Sequence, residues 1–168
     1  TAMEMTKWFD TNYHYIVPEF TPDQRFRLAS MKPIDEFREA LALGITTRPV
    51  LLGPVSFLLL GKMRGSVHPL TLLDRLIPVY ADVLRALAEA GAGWVQIDEP
   101  CLVLDLDDVA RHAYRRAYHD LDTIARPQVL LTTYFGGLRE NLELVMELPV
   151  DGLHVDRVRD PDPIADIL

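Results

Sequence analysis

Cysteine is almost missing from this sequence. Cys101 stands alone, so no internal disulfide can form and no zinc site built from several thiolates is possible. Long apolar runs are missing too: Val55 to Leu60 is among the longest, far short of the roughly 20 residues a bilayer crossing needs. No charged-then-apolar signal segment opens the chain. These absences predict a cytoplasmic protein with no membrane partner. Cations are in deficit, with 17 Lys and Arg against 25 Asp and Glu and a formal charge of −8. No basic run could track a phosphate backbone, which argues against nucleic acid as a partner. There is no Gly-x-Gly-x-x-Gly turn, no phosphate loop, no internal repeat and no low-complexity linker. The nearest thing to a linker is Pro161-Asp162-Pro163, read as a loop ahead of a helix.

What is present suits one packed core. At 168 residues and 49% hydrophobic composition, the chain is long enough for one substantial domain and too short for two. Thr1-Ala2-Met3-Glu4-Met5 has no initiator Met and runs directly into an aromatic segment, as a piece cut from a longer chain would.

Short β-rich runs end in polar, Gly or Pro residues: Tyr13 to Val17, Pro49 to Leu52, Trp94 to Ile97, Val129 to Leu131 and Leu153 to Val155. Helical spacing lies between them over Pro33 to Leu43, Thr71 to Gly91, Val109 to Ile124 and Leu138 to Leu148. Asp35 and Asp107 suit helix starts, Gly44 and Gly91 suit helix stops, and Pro78 predicts a kink. Alternating strands and helices mean a parallel sheet covered by helices, hence the α/β class. A closed eight-stranded barrel takes about 250 residues. With about five strands, the chain reads as an incomplete (β/α)8 TIM-type barrel, one partial domain over residues 1–168.

In a barrel the residues just after each strand carry function. Asp98-Glu99-Pro100 puts two carboxylates at one strand end. They alternate faces, so they are no proton-sharing dyad: one can meet the barrel mouth while the other anchors the following loop. Thr132-Thr133-Tyr134-Phe135-Gly136-Gly137 brings hydroxyls to the mouth ahead of a close turn, which serves a ligand or only the turn. His154 and Asp156 share a face but are too few for zinc, and a buried hydrogen-bonded pair is the simpler expectation. His14 fits a core or rim histidine or a minor catalytic candidate. Lys62 and Arg64 fit a flexible surface turn or an anion contact. Lys7, beside Trp8 and Phe9, could meet an anionic ligand or simply be solvated. Ser56 has no nucleophile-elbow neighbours and Cys101 no Cys-x-x-Cys partner, so nucleophilic catalysis is unsupported.

Taken as strings, Ala2 to Tyr15 (AMEMTKWFDTNYHY), Arg48 to Pro54, Trp94 to Pro100, Leu131 to Phe135 and Gly152 to Asp156 resemble the N-terminal barrel of cobalamin-independent methionine synthase, in order and spacing across essentially the whole chain. The resemblance implies part of a two-barrel methyltransferase that moves the methyl group of a 5-methyltetrahydrofolate polyglutamate to homocysteine, forming methionine. It also implies zinc on the C-terminal barrel, a domain partner outside this chain. There the ligands are a His and a Cys after one strand, a Glu after the next and a later Cys. Thr132, Tyr134 and Asp156 stand at the corresponding places here, so the resemblance implies no metal ligands and no catalytic residues in this fragment, which is expected to be inactive alone. What carries over is folate-tail binding by Lys7, the lysine of the Thr-Lys-Trp-Phe-Asp string. The alternative is a non-catalytic barrel-derived binding or interaction module.

Overall fold

The structure is a computed structural model and describes residues 3–161. Two residues of Pro161-Asp162-Pro163 therefore lie outside the described residues. Four parallel strands form the main sheet: β4 (Val50–Leu52), β6 (Trp94–Asp98), β7 (Gln128–Thr132) and β8 (Gly152–His154), in the order β4-β6-β7-β8. The helices between them are α2 (Pro54–Leu59), α3 (Leu73–Glu89), α4 (Asp108–Asp122) and α5 (Leu142–Glu147). Ahead of the sheet come β1 (Met5–Lys7), β2 (His14–Ile16), β3 (Glu19–Phe20) and α1 (Lys32–Ala42). β3 pairs in parallel with β5 (Lys62–Met63). The architecture is α/β, a parallel sheet with helices in the manner of a partial barrel.

One expected barrel strand is corrected. The run Tyr13 to Val17 holds β2, which pairs antiparallel with β1 as a hairpin outside the parallel sheet. Its alternation marked it as a strand, but nothing in a lone run tells which partner it will take. A second correction concerns Lys62 and Arg64. Lys62 belongs to strand β5, where it pairs with Glu4 at 2.8 Å, and Arg64 pairs with Glu19 at 2.7 Å, so this segment is an ordered ladder and no loose turn. Helix α2 went unread, because six residues of it look like any short apolar run.

Register sorts the sheet into two faces. Leu51, Ile97, Leu131 and Leu153 are neighbours in one row, with Val95 and Val129 beside them. All lie on the helix side, and Val95, Ile97, Val129 and Leu131 are buried in a core shared with Leu58, Leu84, Leu87, Tyr114 and Leu144. The opposite face carries Trp94, Gln96, Asp98, Leu130, Thr132 and His154; in a closed barrel that face lines the interior.

Local signals explain the helix ends. Asp107 caps α4, its Oδ1 accepting the Ala110 N–H at 2.8 Å. Asp35 does not cap α1, which starts at Lys32 behind Met31; it sits in the first turn, where a carboxylate favours the positive end of the helix dipole. Gly44 and Gly91 follow α1 and α3 at φ 75° and 91°. In both cases the next two N–H groups fold back onto the last helical turn: Gly44 to Leu41 and Ile45 to Ala40, Gly91 to Ala88 and Ala92 to Leu87. The α3 helix runs unbroken through Pro78. Having no N–H, Pro78 cannot bond the Asp74 carbonyl four residues earlier.

The Asp107 cap is testable. Asp107→Ala should cost about 1 kcal/mol of stability in urea titration, and Asp107→Asn, which caps equally well, should cost little. Equal losses for the two would mean the side-chain cap is not what holds the start of α4.

Candidate functional site

The ends of β4, β6, β7 and β8 lie side by side and gather most of the polar residues singled out above. Asp98 and Glu99 do face opposite ways. Glu99 turns to the helix side and is fully buried. Its Oε1 accepts the Val55 N–H at 3.3 Å and its Oε2 the Ser56 N–H at 2.8 Å. Two phenols complete the set, Tyr114 at 3.3 Å and Tyr118 at 3.2 Å. The carboxylate is therefore a cap supplied from another strand. Helix α2 begins after Gly53, which has no side chain to offer, and Pro54 has no N–H, so Glu99 meets the next two free donors. Gly53 must stay small for this, since a Cβ there would lie 2.1 Å from the Glu99 carboxyl carbon.

Burial pushes the Glu99 carboxyl up from 4.5 to about 7, against hydrogen bonding from Ser56, Val55 and Tyr118. Its proximity and their own burial raise the Tyr114 and Tyr118 phenols, burial being the larger cause. Cys101 is buried as well and pushed up to about 12, chiefly by burial, so its thiol stays protonated. Ser56 Oγ accepts the Cys101 N–H at 3.1 Å and lies 3.4 Å from the Tyr114 hydroxyl. Ser56 and Cys101 are thus parts of a buried lattice. Sequence reading missed Ser56, Tyr114 and Tyr118 as its members. The one available signal was the four-residue step between the tyrosines, which puts both on one face of α4.

Asp98 faces the uncovered side of the sheet. It accepts from Gln96 Nε2 at 2.7 Å and from the Tyr134 hydroxyl at 3.4 Å, and partial burial raises its carboxyl. Gln96 in turn accepts from Arg48 at 2.9 Å. Thr132 lies beside Asp98 in register and His154 beside Thr132. The expected His154–Asp156 pair is corrected: the two do not bond to each other. His154 is exposed, with Nδ1 3.1 Å from the Thr133 carbonyl. Asp156 accepts from the backbone N–H groups of Phe135 at 2.8 Å, Val158 at 2.9 Å and Arg159 at 3.0 Å. Those bonds outweigh desolvation, and its carboxyl sits below the usual range. A zinc ion does not fit this set: both Asp156 oxygens already serve backbone donors, and the remaining groups at these strand ends are chiefly hydroxyls. Among the described residues no three His, Cys, Asp or Glu side chains converge on a metal position.

The β1–β2 hairpin tip reaches these strand ends. The Phe9 ring packs against Phe135 at 5.3 Å, Trp8 against Tyr15 at 5.3 Å, and Asp10 pairs with Arg159 at 2.7 Å. Phe9 and Phe135 both hold left-handed backbone, at φ 51° and 73°. That conformation is costly for aromatic residues and persists where surrounding contacts impose it. Lys7 lies on β1 just before this tip, exposed, opposite His14. His14 is exposed too, on the hairpin rather than in the core.

The family model for the N-terminal domain of cobalamin-independent synthase matches residues 1–168. The chain belongs to that family. Two curated members named 5-methyltetrahydropteroyltriglutamate–homocysteine methyltransferase are similar to it. The one from Chelativorans sp. strain BNC1 is 62% identical over 167 residues, covering 99% of this chain and 22% of the relative. The one from Nitrobacter winogradskyi is 62% identical over 165 residues, covering 97% and 21%. The chain thus spans about a fifth of the length of these family members. A solved B12-independent methionine synthase from Shewanella sp. W3-18-1 superposes with a TM-score of 0.54 at 17% identity, over 82% of this chain and 40% of the other. A Listeria monocytogenes protein assigned to the same enzyme gives 0.59 at 18% identity, over 80% and 46%. At such identities these two establish the fold alone, and they agree with the partial barrel. No helix among the described residues is long and apolar enough to cross a membrane.

Glu99 sets a pH dependence with a definite sign. An acid whose folded pKa is raised binds its proton more tightly in the folded state, so it favours folding below pH 4.5 and that contribution is lost as pH rises to about 7. Comparing the chain with Glu99→Gln in urea titrations from pH 5 to pH 8, the stability of the unsubstituted chain relative to the variant should fall by up to about 3 kcal/mol. A flat difference across that range would show that Glu99 is ionised throughout.

Proposed function

We propose that this chain is part of a cytoplasmic methyltransferase that moves the methyl group of 5-methyltetrahydropteroyl polyglutamate to homocysteine, forming methionine. It supplies scaffold and part of the folate-tail site. The observation that carries the reading is the family match across residues 1–168, together with relatives at 62% identity bearing that activity in their names. In this reading the chain is a partial N-terminal barrel of a two-barrel enzyme. Zinc, which holds the homocysteine thiolate, sits on the C-terminal barrel, in keeping with the poor fit of the strand ends here. The isolated chain is then inactive.

Lys7 is the residue assigned to the tail. It is exposed on β1 and makes no ion pair with any described residue. The two carboxylates nearest it along the hairpin are taken elsewhere, Glu4 by Lys62 and Asp10 by Arg159. A mobile ammonium without a partner suits a flexible chain of carboxylates.

In the intact parent enzyme, Lys7→Ala should raise KM for the triglutamate folate about fivefold, the worth of one exposed ion pair near 1 kcal/mol. Lys7→Arg should recover most of it. An unchanged KM would remove Lys7 from the tail site. A parent enzyme without methyl transfer from the triglutamate folate to homocysteine would favour a non-catalytic module instead.

A further inference from the structure

The hairpin offers the tail a second donor that the family reading does not name. Its hydrogen bonds fix which side chains meet. Trp8 N–H bonds the Tyr13 carbonyl at 2.7 Å and Val17 N–H bonds the Glu4 carbonyl at 2.8 Å. In an antiparallel ladder bonded and non-bonded pairs alternate, so Thr6–Tyr15 is a bonded pair, while Lys7–His14 and Met5–Ile16 are non-bonded. Non-bonded pairs bring their Cα atoms to about 4.5 Å and their side chains closest of all. Lys7 and His14 are therefore immediate neighbours on one face.

That face points outward. The other face turns in, with the Tyr15 hydroxyl on the Leu60 carbonyl at 3.0 Å and Trp8 against Tyr15. Beyond Lys7 and His14 the outward face holds Met5 and Ile16, 66% and 60% exposed, and no carboxylate. Neither the Lys7 ammonium nor the His14 imidazole has a hydrogen-bond or ion-pair partner among the described residues, although His14 lies where a carboxylate would have paired Lys7 across the ladder. Both groups are exposed and have no acid beside them on this face, so each is open to an incoming carboxylate. A neutral imidazole still has one N–H to give, and a charged one has two.

We propose that His14 is a second recognition residue for the polyglutamate tail, donating to a tail carboxylate beside the one held by Lys7 and so favouring folates with several glutamates over those with one. This rests on the reading of Lys7 as a tail contact. The two donors are fixed by the ladder at neighbouring positions, so neighbouring carboxylates of a tail long enough to reach the hairpin can engage both, while a tail that stops short of it gains neither.

The test compares KM for triglutamate and monoglutamate 5-methyltetrahydrofolate in the intact parent enzyme. His14→Ala should cut the preference for the triglutamate by about three- to fivefold, the worth of one exposed hydrogen bond to a charged group. His14→Gln, which keeps a donor, should recover part of the preference; a merely structural loss would move both substrates together. If both KM values rise equally, His14 acts only through the hairpin's stability and the proposal fails. If Lys7→Ala lowers the preference and His14→Ala does not, the proposal fails while Lys7 keeps its role. If neither substitution changes it, the hairpin is no tail site and both assignments fall.

Discussion

The buried Glu99 carboxylate ties together the elements packed around the end of β6. It leaves the end of β6, caps the start of α2 and accepts from two tyrosines of α4, so one side chain joins a strand to the helices on either side of it in sequence. An ionisable group without water is expensive, and it is tolerable here because four buried donors meet it. The requirement spreads outward. Gly53 must lack a side chain, Ser56 must be small and polar, and the helical step from Tyr114 to Tyr118 must be kept. Ser56 and Cys101 carry chemistry-bearing groups, and here both are buried members of this hydrogen-bonded lattice.

The neighbouring Asp98 has the opposite fate through strand alternation alone. One position along β6 turns a carboxylate from the helix side to the interior face, where it meets Gln96 and Tyr134. That face holds the polar row Asp98, Thr132 and His154 at the strand ends, in the place where barrel enzymes of any chemistry put their working residues. In this chain the row is rich in hydroxyls and poor in metal ligands. The hairpin that reaches over it carries Lys7 on its outer face, without an ion-pair partner among the described residues. At the sheet ends most polar groups are engaged by hydrogen bonds within the chain, although the buried Thr132 Oγ1 has no partner among the described residues.

The legible part of the fold was the part carried by period and punctuation. Leu76, Leu84 and Leu87 announced α3, Asp107 its neighbour's start, and Gly44 and Gly91 the helix ends, because each acts through its own backbone neighbourhood. All five expected runs hold a strand within a residue or two of the expected bounds, by the same means. The fifth run, Tyr13 to Val17, was a strand whose partner could not be read, and α2 was too short to show a period. The His154–Asp156 spacing suggested a pair; the loop backbone claimed Asp156 first, since three N–H groups there had no other acceptor.

Sequence by itself determined the α/β class, the strand ends as the place to look, the opposed faces of Asp98 and Glu99, and, through long matching strings, the family. These rest on side-chain alternation and local capping, which extend over a few residues. Tertiary structure alone decided that Glu99 caps a helix more than 40 positions earlier in the chain, that Lys62 and Arg64 are spent on Glu4 and Glu19, and that Lys7 and His14 stand side by side without an acid between them. Those outcomes depend on which strands pair and which carboxylates are already taken, and competition among distant groups leaves no periodic mark on a sequence.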